Sequence, residues 1–191
     1  MQPTRVFWLS SKKPVNNTFQ LNGKDLYLDT TYEPEWHVNQ EAYVYKTAAM
    51  PEYKEHDIKE GEKAIVHHNV PTASDRHVDW IEDEKVFWSH QTEIFCTISE
   101  DGEIKMQYPW ILVKPVPQEK PTSDIIYIPN EENKMWEQRG RVAHTNNQSK
   151  DDGISDGDLI YFSKNADYEI EVEGEKYYRM RNDDVILVYG E

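Results

Sequence analysis

The sequence predicts an all-β protein built as two tandem small β-barrels. Three observations carry that prediction. Short runs rich in β-branched and aromatic residues alternate with turn-forming pairs such as Asn22-Gly23, Asp101-Gly102, Asp152-Gly153, Asp156-Gly157 and Glu173-Gly174. No segment sustains the 3.6-residue apolar period of an amphipathic helix. The chain also repeats itself once.

The strand-like runs, in order, are residues 25–29, 42–46, 63–67, 85–88, 93–98, 105–108, 110–114, 159–162, 168–172, 176–180 and 185–189. Each is rich in Val, Ile, Tyr, Phe or Trp, side chains that suit a pleated, half-buried surface. Many short strands at close spacing are the mark of a sandwich or barrel. Residues 130–138 alone have a composition that would allow one or two helical turns.

The repeat is clearest in two ungapped stretches. Ile58-Lys59-Glu60-Gly61-Glu62 and Ile154-Ser155-Asp156-Gly157-Asp158 both read Ile-x-acid-Gly-acid, and each runs on into an apolar strand and then an Asn. A buried Ile, a glycine able to take positive φ and a re-entering strand make a tight turn at the edge of a barrel. Upstream, Leu26-Tyr27-Leu28 precedes Trp36 as Ile126-Tyr127-Ile128 precedes Trp136, with Val44 and Val142 following. The chain therefore reads as two diverged copies of one β unit, residues 1–105 and 106–191. The first copy carries an insertion near 70–92, including Arg76-His77-Val78-Asp79-Trp80, where the second uses only 166–173. A surface elaboration or an extra hairpin accounts for it.

Composition narrows the function. The formal net charge of −15 argues against nucleic-acid binding, which needs clustered Lys and Arg. No apolar run approaches the roughly 18–20 residues of a membrane-spanning helix. The single cysteine, Cys96, lies in the apolar run Ile94-Phe95-Cys96-Thr97-Ile98 and reads as a small buried hydrophobe. The N-terminal residues have no signal-peptide h-region, so the cytoplasm is the expected compartment.

Catalytic and metal chemistry find little support. His67-His68 tempts as a metal pair, but neighbours on a strand point to opposite faces. His37, His56, His77, His90 and His144 are scattered. Gly-rich phosphate loop, nucleophile elbow and Cys-x-x-Cys are all missing from the sequence. The expectation is a protein with no reaction, metal or cofactor of its own.

One segment stands apart. Pro117 to Asp124 are loop formers, and they lead into the apolar cluster Ile125-Ile126-Tyr127-Ile128, then Pro129 and a polar run to Lys134. An apolar cluster inside a polar, Pro-containing stretch suits either a short core strand or an interaction loop that orders on binding. Together with Trp110-Ile111-Leu112-Val113-Lys114-Pro115, Gly140-Arg141-Val142, Ile154 to Asp158, Gly174 to Tyr178 and Met180 to Val188, in that order, this segment resembles the GroES (chaperonin-10) co-chaperonin family in a tandem, two-module form. The short stretch from Ala143 to Gly153, where bacterial members carry a roof hairpin, is similar to some phage-encoded members.

The resemblance implies two GroES-like barrels and a mobile loop at 117–134. The loop's tripeptide Ile126-Tyr127-Ile128, flanked by Ile125 and Pro129, would dock on a GroEL-like chaperonin ring. Where the family usually has Gly-Gly before the tripeptide, this chain has Asp124-Ile125, which makes the loop stiffer. The resemblance further implies a homo-oligomeric ring that caps an ATP-driven chaperonin around an unfolded client protein. Three buried apolar side chains contribute roughly 1.5–3 kcal/mol each, and ordering the loop costs on the order of 1 kcal/mol per residue. A single loop binds weakly, and several on one ring bind firmly yet reversibly. In the first copy Leu26-Tyr27-Leu28 is a candidate second contact, with Phe19 a further anchor, although Asp29 stands where the second copy has Pro129. The alternative from another class is a β-rich structural or virion-type assembly protein that reuses the fold without binding a chaperonin.

Overall fold

The computed structural model describes residues 2–12, 18–27, 38–54, 57–117 and 135–189. The chain divides into two compact units, Met1–Gln107 and Tyr108–Glu191. Both are β-rich and antiparallel, so the two-module, all-β prediction is what the structure shows.

The first unit contains β1 (Phe7–Ser11), β2 (Thr18–Leu21), β3 (Lys24–Tyr27), β4 (Glu41–Lys46), β5 (Lys63–Val66), the short helix α1 (Asn69–Thr72), β6 (His77–Ile81), β7 (Glu84–Ser89), β8 (Ile94–Ile98) and β9 (Ile104–Met106). Seven of these strands form one sheet in the order β6-β7-β1-β4-β5-β8-β9, while β2 and β3 pair with each other. Strand β4 shows why such a sheet forms. Ala42 and Val44 are buried while Glu41, Tyr43 and Tyr45 face out, the period-2 pattern of a one-sided sheet. Phe7, Leu9, Ala42, Val44, Ala64, Val66, Phe87 and Ile94 all enter one core. Because these side chains come from a single sheet, the sheet must curl over its own inner face.

The second unit contains β10 (Trp110–Pro117), β11 (Met135–His144), the short helix α2 (Asn147–Asp151), β12 (Leu159–Phe162), β13 (Tyr168–Val172), β14 (Glu175–Arg181) and β15 (Val185–Tyr189). Its sheet runs β13-β14-β10-β11-β12-β15, the order of the first unit without a counterpart to β9. Ile111, Val113, Val142, Ile154, Ile160, Phe162 and Met180 form its core.

The two copies match bond for bond at the repeated turn. Gly61 and Gly157 adopt φ of 89° and 94°, and their N–H groups donate to Val44 O and Val142 O, each at 2.8 Å. Val44 and Val142 donate in return to Glu62 O and Asp158 O at 2.9 and 2.8 Å. The acid closing each turn accepts a backbone N–H: Lys59 to Glu62 Oε2 at 3.1 Å and Ser155 to Asp158 Oδ2 at 2.7 Å. Ile58 and Ile154 are both buried. A second pair of matching turns, Gln91–Glu93 and Asn182–Asp184, precedes β8 and β15. In each, the last acid accepts the N–H of the residue before the turn, from His90 and from Arg181, at 3.0 Å.

Three expectations need adjustment. Residues 135–138 extend as part of β11 rather than coiling, because pairing to β10 offers backbone partners that an isolated helical turn lacks. In the first unit β6 and β7 hold the sheet places that β13 and β14 hold in the second, so the additional residues there are α1 and the turn Ser74–Arg76. His67 and His68 lie beyond the end of β5, and their rings approach to 4.2 Å instead of pointing to opposite faces. Among the described residues no cluster of three or more His, Cys, Asp or Glu could hold a metal ion, and no helix is long and apolar enough to cross a membrane.

Candidate functional site

The predicted docking residues Ile125, Ile126, Tyr127, Ile128 and Pro129 lie outside the described residues, as does Leu28. What the structure does place is the frame they hang from. Strands β10 and β11 are antiparallel neighbours with Pro117 opposite Met135, so residues 118–134 connect two adjacent strand ends. The stem is tight. Gly140 is buried beside β10, and a Cβ built on it would overlap Val113 Cγ1 and stand 3.0 Å from Lys114 O. A glycine at this position lets the two backbones approach.

Charge and aromatic contacts brace the same stem. Lys114 Nζ lies 2.7 Å from Glu175 Oε2 and 5.4 Å from the Tyr177 ring centre. The Lys114 ammonium, and then the Tyr177 hydroxyl donating at 2.8 Å, hold the Glu175 carboxyl below the usual range. The pair is exposed and adds little to stability. On the neighbouring strands, the Arg179 guanidinium sits between the Trp110 and Tyr168 rings, 4.7 and 4.6 Å from their centres. Burial pushes its pKa down. This stack ties β13, β14 and the start of β10 together.

The matching connection in the first unit is the chain from β1 to β4, and it carries the β2–β3 hairpin. Residues 21–27 are all exposed. Leu26 is 38% and Tyr27 81% exposed, so these two candidate contacts stand outside the core. The turn residues Asn22 and Gly23 both take positive φ, 52° and 76°, as a two-residue type I′ hairpin requires.

One surface went unrecognised in the sequence. In the first unit β8 lies between β5 and β9, and all five of its residues are buried. Its counterpart β15 pairs with β12 and has no second neighbour among the described residues. Ile186 and Leu187 are 61% and 48% exposed. The run Val185-Ile186-Leu187-Val188-Tyr189 reads as a buried strand, and nothing local marks it as an open edge.

Comparison with known proteins agrees with this frame. The family model described as "Chaperonin 10 Kd subunit" matches residues 103–189. The co-chaperonin GroES of Porphyromonas gingivalis is 39% identical over 80 residues, covering 41% of this chain and 89% of that protein. That of Bacteroides fragilis is 37% identical over 82 residues, covering 42% and 90%. That of Pelobacter propionicus is 38% identical over 85 residues, covering 41% and 88%. The family match takes in the second unit's sheet and the β10–β11 connection. Relatives 37–39% identical and matched over nearly their whole length place the chain in the chaperonin-10, or GroES, co-chaperonin family.

Proposed function

We propose that the chain is a co-chaperonin that assembles as a ring-shaped lid on an ATP-driven chaperonin and so assists protein folding. The observation that carries the reading is the match of the second unit to nearly the full length of co-chaperonins named GroES. Ile126-Tyr127-Ile128, with Ile125 and Pro129, is the contact with the chaperonin. These apolar residues lie within the connection that β10 and β11 hold at its base. The edge of β15, which has no second neighbour among the described residues, supports self-association, because such an edge with exposed Ile186 and Leu187 invites another strand. The reading assigns the chain no reaction of its own.

The test is co-migration. The purified chain is mixed with a bacterial ring chaperonin and ADP and run on size exclusion, beside Ile126→Asp. Wild type is expected to co-migrate and Ile126→Asp to lose capping while keeping its oligomer. A variant that fails to fold instead would show that Ile126 belongs to a core strand.

A further inference from the structure

We propose that the first unit carries a peptide-binding cleft beside the segment joining β4 to β5, and that its ligand is a short acidic peptide with carboxylates set next to apolar side chains. The inference stands apart from the co-chaperonin reading, and its test uses no chaperonin.

The two copies diverge at this place. Gln91 and Asn182, both buried, each open one of the matching turns and hold the segment that follows β4 or β11. Asn182 Oδ1 accepts from Ser149 Oγ at 2.8 Å, which draws α2 in until Ser149 is fully buried. Gln91 instead holds Tyr53, whose N–H donates to Gln91 Oε1 at 2.9 Å. The described residues between β4 and Tyr53 are neither helix nor strand. They are tied down from the other side, where the N–H groups of Ala49 and Met50 donate to Pro3 O and Thr4 O at 2.9 and 2.7 Å. Against this segment lies a cleft of about 960 Å³, at the upper end of the range for ligand sites.

Its chemistry is two-sided. Ala48, Ala49, Met50 and Pro51 supply an apolar lining, and Met50 is 60% exposed there. Methionine has a flexible, polarisable side chain that adapts to apolar partners of varied shape. Arg5, Lys54 and His90 supply cationic chemistry, against one acid, Glu52, among the described lining residues. That balance runs against a chain with 36 acids to 21 Lys and Arg. Elsewhere in the unit cations meet acids, as in Lys46–Glu60, Arg76–Glu93 and Lys105–Glu62. Among the described residues neither Arg5 nor Lys54 is in an ion pair. The second unit's cleft beside Asn182 is lined by Asp152 and Asp183, with no Lys, Arg or His among its described lining residues. The positive charge therefore belongs to the first unit's cleft and not to the shared fold.

Charge complementarity selects the occupant. A wholly apolar peptide would strip water from the cations without replacing it. A compact anion such as phosphate would leave the apolar lining wet. A carboxylate beside an apolar side chain satisfies both: Arg5 takes the carboxylate through two N–H groups, and the apolar group removes water from Ala48 and Met50.

The experiment is fluorescence anisotropy of the full chain with a labelled, end-blocked peptide of alternating Glu and Leu. Two control peptides carry Gln for Glu or Ser for Leu. The protein variants are R5E/K54E, Met50→Asp and K24E/K164E, the last making the same charge change away from the cleft, with unfolding midpoints recorded for each. Wild type is expected to bind the Glu-Leu peptide saturably and each control peptide about tenfold more weakly. R5E/K54E and Met50→Asp should each lose about tenfold in affinity with unchanged midpoints, while K24E/K164E binds nearly as wild type. No saturable binding by wild type would overturn the proposal. So would an equal loss in K24E/K164E, which would reduce the effect to net charge, or equal binding of the Ser peptide, which would remove the apolar lining from recognition. Should R5E/K54E fail to fold, Met50→Asp decides alone, since its side chain is exposed: wild-type affinity there refutes the cleft.

Discussion

Replacing Gly140 by alanine tests whether the stem beneath the β10–β11 connection depends on close backbone approach. The added Cβ would overlap Val113 Cγ1 and sit 3.0 Å from Lys114 O and 3.5 Å from Phe162 Cε1. Carbon atoms pack comfortably at about 3.5–4.0 Å, so β10 must shift. It has little room, because β10 is held between β11 and β14. Overpacking of this kind costs about 1–3 kcal/mol. The loss of unfolded-state entropy on Gly→Ala offsets about 0.4–1 kcal/mol, leaving a net loss of about 1–2 kcal/mol. For a unit of this size that is a Tm drop of about 5–15 °C. Scanning calorimetry of the full chain reads it directly. Val113→Ala removes the methyl group that the new Cβ meets, so G140A should cost at least ~1 kcal/mol less in that background. Equal cost in both backgrounds, or an unchanged Tm for G140A, would refute the close-approach argument. The first unit has Ala42 at the corresponding place in β4, buried and with its Cβ accommodated, so the constraint belongs to the second unit.

Two further predictions follow from other contacts. Burial alone would raise the Glu93 carboxyl, but Arg76, whose two guanidinium nitrogens lie 2.6 and 2.8 Å away, and the His90 N–H outweigh it and hold it below the usual range. A carboxyl depressed in the folded state contributes fully above its unfolded pKa, about 4.3, and that contribution disappears as pH falls through the folded value. Glu93→Gln should therefore destabilise the chain by about 1–3 kcal/mol at pH 7 and by progressively less as the pH falls below about 4, as read from urea midpoints; a penalty that does not shrink with falling pH would contradict the ion-pair account. At the β15 edge, Ile186→Asp with Leu187→Asp should break the proposed oligomer on native mass spectrometry while shifting stability by less than about 0.5 kcal/mol, because both side chains are exposed; intact assembly would remove β15 from the proposed interface.

Local chemistry made much of this fold legible. The Ile-x-acid-Gly-acid turns could be read because each part acts over a few residues: a buried Ile, a glycine at positive φ, a carboxylate closing on a nearby N–H. Phe7–Ser11 was harder to see, since a short strand ending in two serines carries a weak signal without its neighbours β4 and β7. Residues 135–138 misled in the same way, with a composition that tolerates helix and a location that demands a strand. Leu26 and Tyr27 could be named from sequence as candidate contacts, but their exposure on a separate hairpin could not. The five apolar residues of β15 carried the opposite message from the one their surroundings enforce.

From sequence alone came the strands and turns, the duplication and the resemblance to the chaperonin-10 family, all of which rest on residue types at short spacing. Tertiary structure decided which strands are neighbours. That choice sets β8 between β5 and β9, where Phe95 and Cys96 are buried, while leaving Ile186 and Leu187 on β15 exposed, although β15 is as apolar as β8. It also shows the β1–β4 connection to be the counterpart of the β10–β11 connection. The reason is physical: a turn is held by bonds within a few residues, whereas the exposure of an edge depends on a partner strand that another part of the chain, or another molecule, has to supply.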